Sequence, residues 1–203
     1  MSEDAALAAL IVRNIGDIEA AINTAEGKLD KRFLEEVKQA AQTSLSQVWN
    51  VKSGEDEEDT WLTKQDWLKD EDEDFWLQFA EIAGLNGEPD WTWIAVATAS
   101  GPKGATYALI FEQAAITPAR FKQILNNNPE LTARLRKRGF ERDESGKQLF
   151  IRITIDREAL AQAFEKDDFD AALKPVQAAV KTASDAIEDL DDLVRIIRDQ
   201  VTV

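Results

Sequence analysis

The side chains best suited to bind a metal ion lie in one short acidic run. Asp70, Asp72 and Asp74 alternate along this run and Glu81 follows, which is the spacing at which a twelve-residue loop offers oxygen ligands to Ca²⁺. The sixth position of such a loop must turn sharply and is normally glycine, whereas here it is Phe75. We therefore expect an acidic run that leads into a β-strand, with no metal site.

The composition excludes most other catalytic chemistry. The 203 residues include neither His nor Cys, so the commonest general acid–base, the thiolate nucleophile and the usual zinc ligands are missing. Gly101-Pro102-Lys103-Gly104 is not a phosphate loop, because proline lacks a backbone donor and no Lys-Ser/Thr pair follows. The sequence therefore predicts a protein that is not an enzyme and has no cofactor. A carboxylate–metal enzyme is kept as an alternative.

Negative charge dominates the chain and is concentrated in one segment. The formal net charge is −15, and residues 55–74 contain eleven acids against two lysines. Such a charge repels nucleic acids and anionic membranes, because both are bound through Lys and Arg. Residues 120–138, in contrast, contain six basic residues and one acid. We expect this basic patch either to pair with the acidic segment or to cover two exposed helix faces, and the alternative is a contact for an acidic partner or for nucleic acid. The expected partner is a basic protein surface, with no direct contact to nucleic acid or membrane.

The sequence shows no targeting or membrane-spanning segment. Ser2, Glu3 and Asp4 are acidic or neutral where a secretory signal peptide would be basic. No apolar run approaches the roughly 20 residues that cross a bilayer as a helix. We therefore expect a cytoplasmic protein.

Three tryptophans within or beside the acidic run form the predicted binding site. An aromatic ring flanked by carboxylates suits a basic, partly apolar protein surface, because the ring supplies contact area and the carboxylates attract the partner. The predicted contact residues are Trp61, Trp67, Asp70, Asp72, Asp74 and Trp76. In the alternative interpretation, these tryptophans only anchor the segment to the rest of the chain. The pattern favours a non-catalytic binding module of the inhibitor, immunity or chaperone type.

Hydrophobic spacing predicts the helices that flank this segment. Apolar residues recur at helical intervals over Leu7–Ile22 and again over Leu29–Trp49, and Gly27 predicts the turn of a helical hairpin between them. Thr117-Pro118 predicts a helix start, since a capping residue precedes a proline at the first helical position. Gly139 predicts a helix end.

Alternating hydrophobicity predicts the strands and places the chain in the α+β class. The predicted strands are 75–82, 91–99, 105–112, 140–142 and 149–155. They form a five-stranded antiparallel sheet flanked by helices, with the N-terminal helical hairpin packing against a long C-terminal helix. The predicted organisation is one compact domain: 1–52 is the N-terminal helical hairpin, 53–74 the acidic linker, 75–166 the α+β body and 167–203 the long C-terminal helix.

The C-terminal helix carries the most regular pattern in the sequence. From Phe169 to Val201 its apolar residues are spaced alternately four and three positions apart, as in a coiled-coil seam. We expect this seam to pack within the chain, against the Leu7–Ile22 stripe. The alternative is a structural subunit or homodimer joined through this helix. The residues of that interaction helix are Ile187, Leu190, Val194 and Ile197.

A DNA mimic is a further alternative. In such a protein, carboxylates held on a rigid element imitate the phosphates of nucleic acid and occupy a nucleic-acid-binding protein. The last helix offers acids at suitable intervals, which are Asp185, Glu188, Asp189, Asp191, Asp192 and Asp199. Binding of a basic protein surface is nevertheless the function that the sequence favours, because the aromatic and acidic residues suited to it occur together in the chain.

Overall fold

An antiparallel sheet of six strands organises the fold, and helices cover one of its faces. The computed structural model describes residues 3–45, 48–54, 59–69, 72–82, 92–101, 103 and 105–201. The strands are β1 (Asn50–Ser53), β2 (Thr60–Thr63), β3 (Leu68–Lys69), β4 (Asp72–Glu73), β5 (Phe75–Ile82), β6 (Thr106–Gln113), β7 (Glu141–Arg142) and β8 (Leu149–Ile153). The sheet order is β1-β2-β5-β6-β8-β7, and β3 pairs with β4 as a separate ribbon. The predicted α+β class is confirmed, whereas the predicted number of five strands is wrong, since six described strands form the sheet.

Two strands of the sheet come from segments where no strand is predicted. β1 lies at the end of the predicted hairpin, and β2 lies within the range predicted as an acidic linker, 53–74. β2 pairs with both β1 and β5. Its Thr-Trp-Leu-Thr sequence favours an extended backbone, although the acids on either side obscure this signal in the sequence.

Nine α-helices lie within the described residues. They are α1 (Glu3–Arg13), α2 (Ile15–Thr24), α3 (Asp30–Ser44), α4 (Trp93–Ala97), α5 (Pro118–Asn127), α6 (Pro129–Arg138), α7 (Arg157–Lys166), α8 (Lys174–Asp185) and α9 (Ile187–Val201). A π-helical turn, Ala25–Leu29, joins α2 to α3, and a 3₁₀ turn, Gln65–Trp67, precedes β3. Within the part of the chain that the structure describes, no helix is both long enough and apolar enough to cross a membrane.

Part of the predicted strand 91–99 is helical instead. The hydroxyl of Thr92 accepts the backbone N–H of Ala95 at 3.2 Å, which caps α4. The buried carboxylate of Asp30 accepts the N–H groups of Trp93 at 2.9 Å and Ile94 at 3.0 Å. These acceptors satisfy the donors that a helix start leaves unpaired. The predicted strand is therefore wrong over α4, because a contact with α3 overrides the local alternation; Trp91 lies outside the described residues.

The N-terminal helix continues through Gly27 and does not turn back there. Thr24, Leu29 and Asp30 all have right-handed helical backbone angles, and Gly27 lies inside the π-helical turn. A single glycine weakens a helix by about 1 kcal/mol without having to end it. α3 packs on α8, whereas the large apolar residues of the Leu7–Ile22 stripe, which are predicted to pack on the C-terminal helix, are mostly exposed. The predicted packing of the N-terminal segment on the C-terminal helices is thus compatible with the structure, but α3 provides it and the Leu7–Ile22 stripe does not.

The C-terminal seam is divided between two helices and is buried. Pro175 lies in the first turn of α8, and Ala186 separates α8 from α9. α8 packs on α3 and β8, and α9 packs on α5 and α6. The residues predicted as an interaction helix are Ile187, which is partly buried, and Leu190, Val194 and Ile197, which are almost fully buried. The seam therefore contributes to the core of the chain.

Candidate functional site

The sheet has an outer face that points away from the main core. Alternate residues of β5 and β6, such as Phe79 and Leu109, belong to the core under the helices, and α4 and α8 add their buried side chains to the same core. The residues between them point the other way. They include Trp61 on β2, Trp76, Gln78, Ala80 and Ile82 on β5, Ala108, Ile110 and Glu112 on β6, and Phe150 and Arg152 on β8. We call these residues the outer face; a small apolar cluster of Ile82, Ala108, Ile110 and Phe150 lies at its centre.

Two of the three tryptophans predicted to bind a partner lie together on the outer face. In the strand register Trp61 is opposite Gln78, and Trp76 is opposite Glu112. Both tryptophans are partly exposed. The indole N–H of Trp76 donates to Oε1 of Gln78 at 3.2 Å, and Nε2 of Gln78 donates to Oδ1 of Asp59 at 3.0 Å. The first hydrogen bond lies within β5, and the second links β5 to the residue that precedes β2 and places a carboxylate beside the tryptophan pair.

The third tryptophan, Trp67, is part of the core. It is 1% exposed and lies edge-on to Trp49 and Phe111, with ring centroids 5.1 and 5.8 Å away. Its indole N–H donates to Oδ1 of Asp191 at 2.8 Å, and Nζ of Lys64 forms an ion pair with Oδ2 of the same carboxylate at 2.7 Å. Trp67 thus anchors the segment after β2 to α9. This is the alternative interpretation given above for the tryptophans that lie near the acidic run.

The predicted acidic residues of the site are distributed along the approach to β5. Asp74 immediately precedes this strand, is partly exposed, and accepts the backbone N–H of Ala114 through its carbonyl at 3.0 Å. Asp72 lies in β4. Asp70 lies outside the described residues. Asp74 lies two residues before Trp76 at the start of β5, so this acid and this tryptophan are neighbours in the fold as well as in the sequence.

The twelve-residue calcium loop suggested by the sequence is replaced by a strand. Every residue from Phe75 to Ile82 pairs with β6. Asp74 and Glu81 are therefore separated by seven residues of extended chain, or about 23 Å at 3.3 Å per residue. Two carboxylates that far apart cannot coordinate one ion. The described residues also contain no group of three or more acids placed to hold a metal.

The basic patch of residues 120–138 pairs with the last helix. Arg134 forms ion pairs with Asp189 at 2.6 Å and with Asp192 at 2.8 Å, and Arg138 approaches Asp189 at 3.6 Å. The expected pairing of this patch with residues 55–74 is therefore replaced, in the described residues, by pairing between α6 and α9. Asp189, Asp192 and, beside Lys64, Asp191 thus form ion pairs within the chain.

Two members of the outer face, Gln78 and Glu112, are absent from the predicted site. Gln78 supports the indole of Trp76, and Glu112 lies opposite the same tryptophan on β6. The signal that identifies them is the alternation within β5 and β6, which places Gln78 on the side of Trp76 and Glu112 on the side of Ile110. Burial raises the pKa of the Glu112 carboxyl above its ordinary value of 4.5.

Replacing Glu112 with glutamine is expected to stabilise the chain near neutral pH but not in acid. Because burial raises the pKa of Glu112 in the folded state, the folded chain retains a proton that the unfolded chain releases. The stability that this proton provides is complete below the pKa of Glu112 in the unfolded chain. It is lost as the pH rises through the pKa of Glu112 in the folded chain. Urea unfolding of Glu112→Gln and the parent chain across this pH range measures the difference.

The matched control for this variant is Glu165→Gln, which makes the same chemical change at an exposed position of α7. If the two substitutions had equal effects on the free energy of unfolding at every pH, the burial of Glu112 would not be the cause of the stabilisation.

Comparison with known proteins provides no relative from which a function could be transferred. No protein-family model, curated protein or solved structure matches the chain. Any functional conclusion therefore depends on the surfaces of the chain itself.

Proposed function

We propose that the chain is a non-catalytic protein-binding module that recognises a basic, partly apolar surface on another protein. The observation that carries this proposal is the pair of partly exposed tryptophans, Trp61 and Trp76, on adjacent strands of the outer face. Tryptophan contributes more binding energy at protein interfaces than most residues, because its large ring excludes water from neighbouring polar contacts. Two such rings on a rigid sheet form a preorganised contact surface.

The distribution of acids supports a basic partner. Every residue of 55–59 and of 70–74 is acidic. Asp59 directly precedes β2 and Asp74 directly precedes β5, and because β2 and β5 are antiparallel, these two acids lie at opposite ends of the strand pair. Glu112 adds a carboxylate opposite Trp76. A surface with tryptophans in the middle and acids at both ends attracts lysine and arginine side chains over a long range and gives the apolar part of the partner a contact area.

The proposal is tested with the full chain immobilised as bait and with a Trp61→Ala/Trp76→Ala double variant. We expect the parent chain to capture a basic protein, identified by mass spectrometry, and the double variant to lose it. Titration calorimetry with the purified partner should show about 1,000-fold weaker binding, since each of the two interfacial tryptophans is worth about 2 kcal/mol or more. Added salt should weaken the parent complex by screening the attraction between carboxylates and basic groups.

The control is Val48→Ala, which removes exposed apolar surface elsewhere (Val48 is 53% exposed). Its binding should match that of the parent chain. A second variant, Asp59→Asn/Asp74→Asn, keeps both rings and is expected to reduce mainly the association rate. Capture of the same proteins by the parent chain and the tryptophan variant, or a partner with an acidic contact surface, would contradict the proposal.

A further inference from the structure

The N-terminal helical arm, residues 3–29, carries an apolar stripe that is open to solvent. Its exposed large apolar residues are Leu7, Leu10, Ile11, Val12, Ile15, Ile22 and Leu29, with exposures from 36% to 73%. Neither α2 nor the π-helical turn contributes a buried residue. Burial begins with Asp30 and Phe33 of α3. The arm is about 40 Å long at 1.5 Å per residue, and within the described structure it extends away from the body.

The stripe has the spacing of a coiled-coil seam. Ile11, Ile15, Ile18, Ile22, Ala25 and Leu29 follow one another at intervals of four, three, four, three and four residues. In an uninterrupted α-helix these positions lie on one side and alternate as the a and d positions of heptads. Here Asn14 interrupts the helix between Ile11 and Ile15, and Ala25–Leu29 form the π-helical turn. Ala20 and Thr24 lie on the opposite side of the same helix. We call the six residues the N-terminal seam.

The arm is intrinsically weak as a helix. Gly16 and Gly27 each lower helix stability by about 1 kcal/mol relative to alanine. A Cβ atom at either position would meet nothing within 4 Å, so close packing does not explain these glycines. Exposed helices of this kind are marginal in water, because most helical stability in proteins comes from burying an apolar side. The arm therefore requires a surface that covers its seam.

We infer that the N-terminal seam is covered by the same seam of other copies of this chain, which joins them in a helical bundle. The seam is its own complement, because heptad a and d residues of one helix fill the spaces between those of another. Burying about 80 Å² for each of the five large apolar side chains of the seam removes roughly 800 Å² from solvent in a pair of arms. Leu7, which lies one turn before Ile11 and is exposed, brings this area to about 1,000 Å², the lower limit for a specific interface. Isoleucine at both a and d positions favours three or four helices over two.

The charges of the arm are compatible with self-association through this side. Asp17 lies on the side opposite the seam, and Glu19, Glu26 and Lys28 flank it, so no ionised group lies between Ile11 and Leu29 on the seam itself. The net charge of −15 opposes assembly, and added salt should strengthen the oligomer by screening that repulsion. The inference does not depend on the proposed binding of a basic partner, which salt should weaken.

Sedimentation velocity of the full chain over a series of concentrations tests the inference. We expect a mass that is a multiple of 22.7 kDa and rises or persists with salt. The Ile15→Asp/Ile22→Asp variant should sediment as a folded monomer, because charges on the seam prevent its burial while the body is unaffected. The Ala20→Asp/Thr24→Asp variant adds the same two carboxylates on the opposite side and should remain oligomeric.

Near-ultraviolet circular dichroism of the tryptophans shows that each variant keeps its folded body. A parent chain that is monomeric at every concentration and salt level overturns the inference. In that case the surface that covers the seam is on a different protein. An Ile15→Asp/Ile22→Asp variant with the parent's mass overturns it as well. If the Ile15→Asp/Ile22→Asp variant no longer oligomerises but still captures a basic partner, then oligomerisation and the proposed function depend on different surfaces.

Discussion

Replacing Trp67 with alanine is expected to lower the free energy of unfolding by about 3–5 kcal/mol, because truncating a large buried aromatic leaves a cavity in a core that only partly relaxes. Trp67 is 1% exposed and contacts the rings of Trp49 and Phe111 edge-on. The variant also removes the indole donor at 2.8 Å from Asp191. Urea unfolding followed by far-ultraviolet circular dichroism measures the loss.

Two further substitutions divide this effect into its parts. Trp67→Phe keeps an aromatic ring but loses the hydrogen bond to the Asp191 carboxylate, so a loss of about 1.5–3 kcal/mol is expected from that bond. Trp76→Ala, on the outer face, should cost less than Trp67→Ala because Trp76 is already partly exposed. If Trp76→Ala lowered the free energy of unfolding as much as Trp67→Ala, the assignment of Trp76 to the surface and Trp67 to the core would be contradicted.

Local signals in the sequence predict those elements whose ends are fixed by neighbouring residues. The hydroxyl of Thr117 accepts the N–H of Arg120 at the start of α5, with Pro118 in the first turn. Gly139 ends α6 with a positive φ of 113°, a conformation that glycine adopts without a steric penalty. In both cases the determining contacts lie within a few residues, so the sequence pattern is sufficient.

Elements decided by distant contacts are not predictable in this way. Trp93–Ala97 alternates like a strand, yet the carboxylate of Asp30 fixes it as a helix from another part of the chain. β2 is short and surrounded by acids, and its place in the sheet depends on pairing with β5. The heptad spacing of the C-terminal seam predicts helical structure and burial, but the surface it packs on is formed by α3 and β8 for its first half and by α5 and α6 for its second.

The candidate site shows the same limit. The sequence groups three tryptophans because they lie near the same acids, but a sheet has two faces, and the face that each ring occupies depends on register. Trp61 and Trp76 reach the outer face through strand pairing. Trp67 follows a 3₁₀ turn that directs it into the core, where Asp191 accepts its N–H. Proximity in sequence thus identified the segment, whereas the fold determines which residues remain available to a partner.

Replacing Ile197 with aspartate is expected to unfold the chain, and this is the largest effect that we predict. Ile197 is 0% exposed, in a helix that packs on α5 and α6. Burying an unpaired carboxylate there costs several kcal/mol, and losing the isoleucine contacts costs about 2–5 kcal/mol more. The total is comparable to the 5–15 kcal/mol by which typical domains are stable. Far-ultraviolet circular dichroism and sedimentation velocity measure the outcome.

The two apolar seams of the chain are thereby expected to respond in opposite ways to the same substitution. Aspartate at Ile197 should give an unfolded or aggregated protein, whereas aspartate at Ile15 and Ile22 should give a folded monomer, because only the first position lies in the core. Gln200→Asp, three residues from Ile197 on the exposed side of α9, should leave the fold intact. A folded, smaller species for Ile197→Asp would instead mean that the C-terminal seam joins subunits, and the assignment of the two seams to core and interface would have to be reversed.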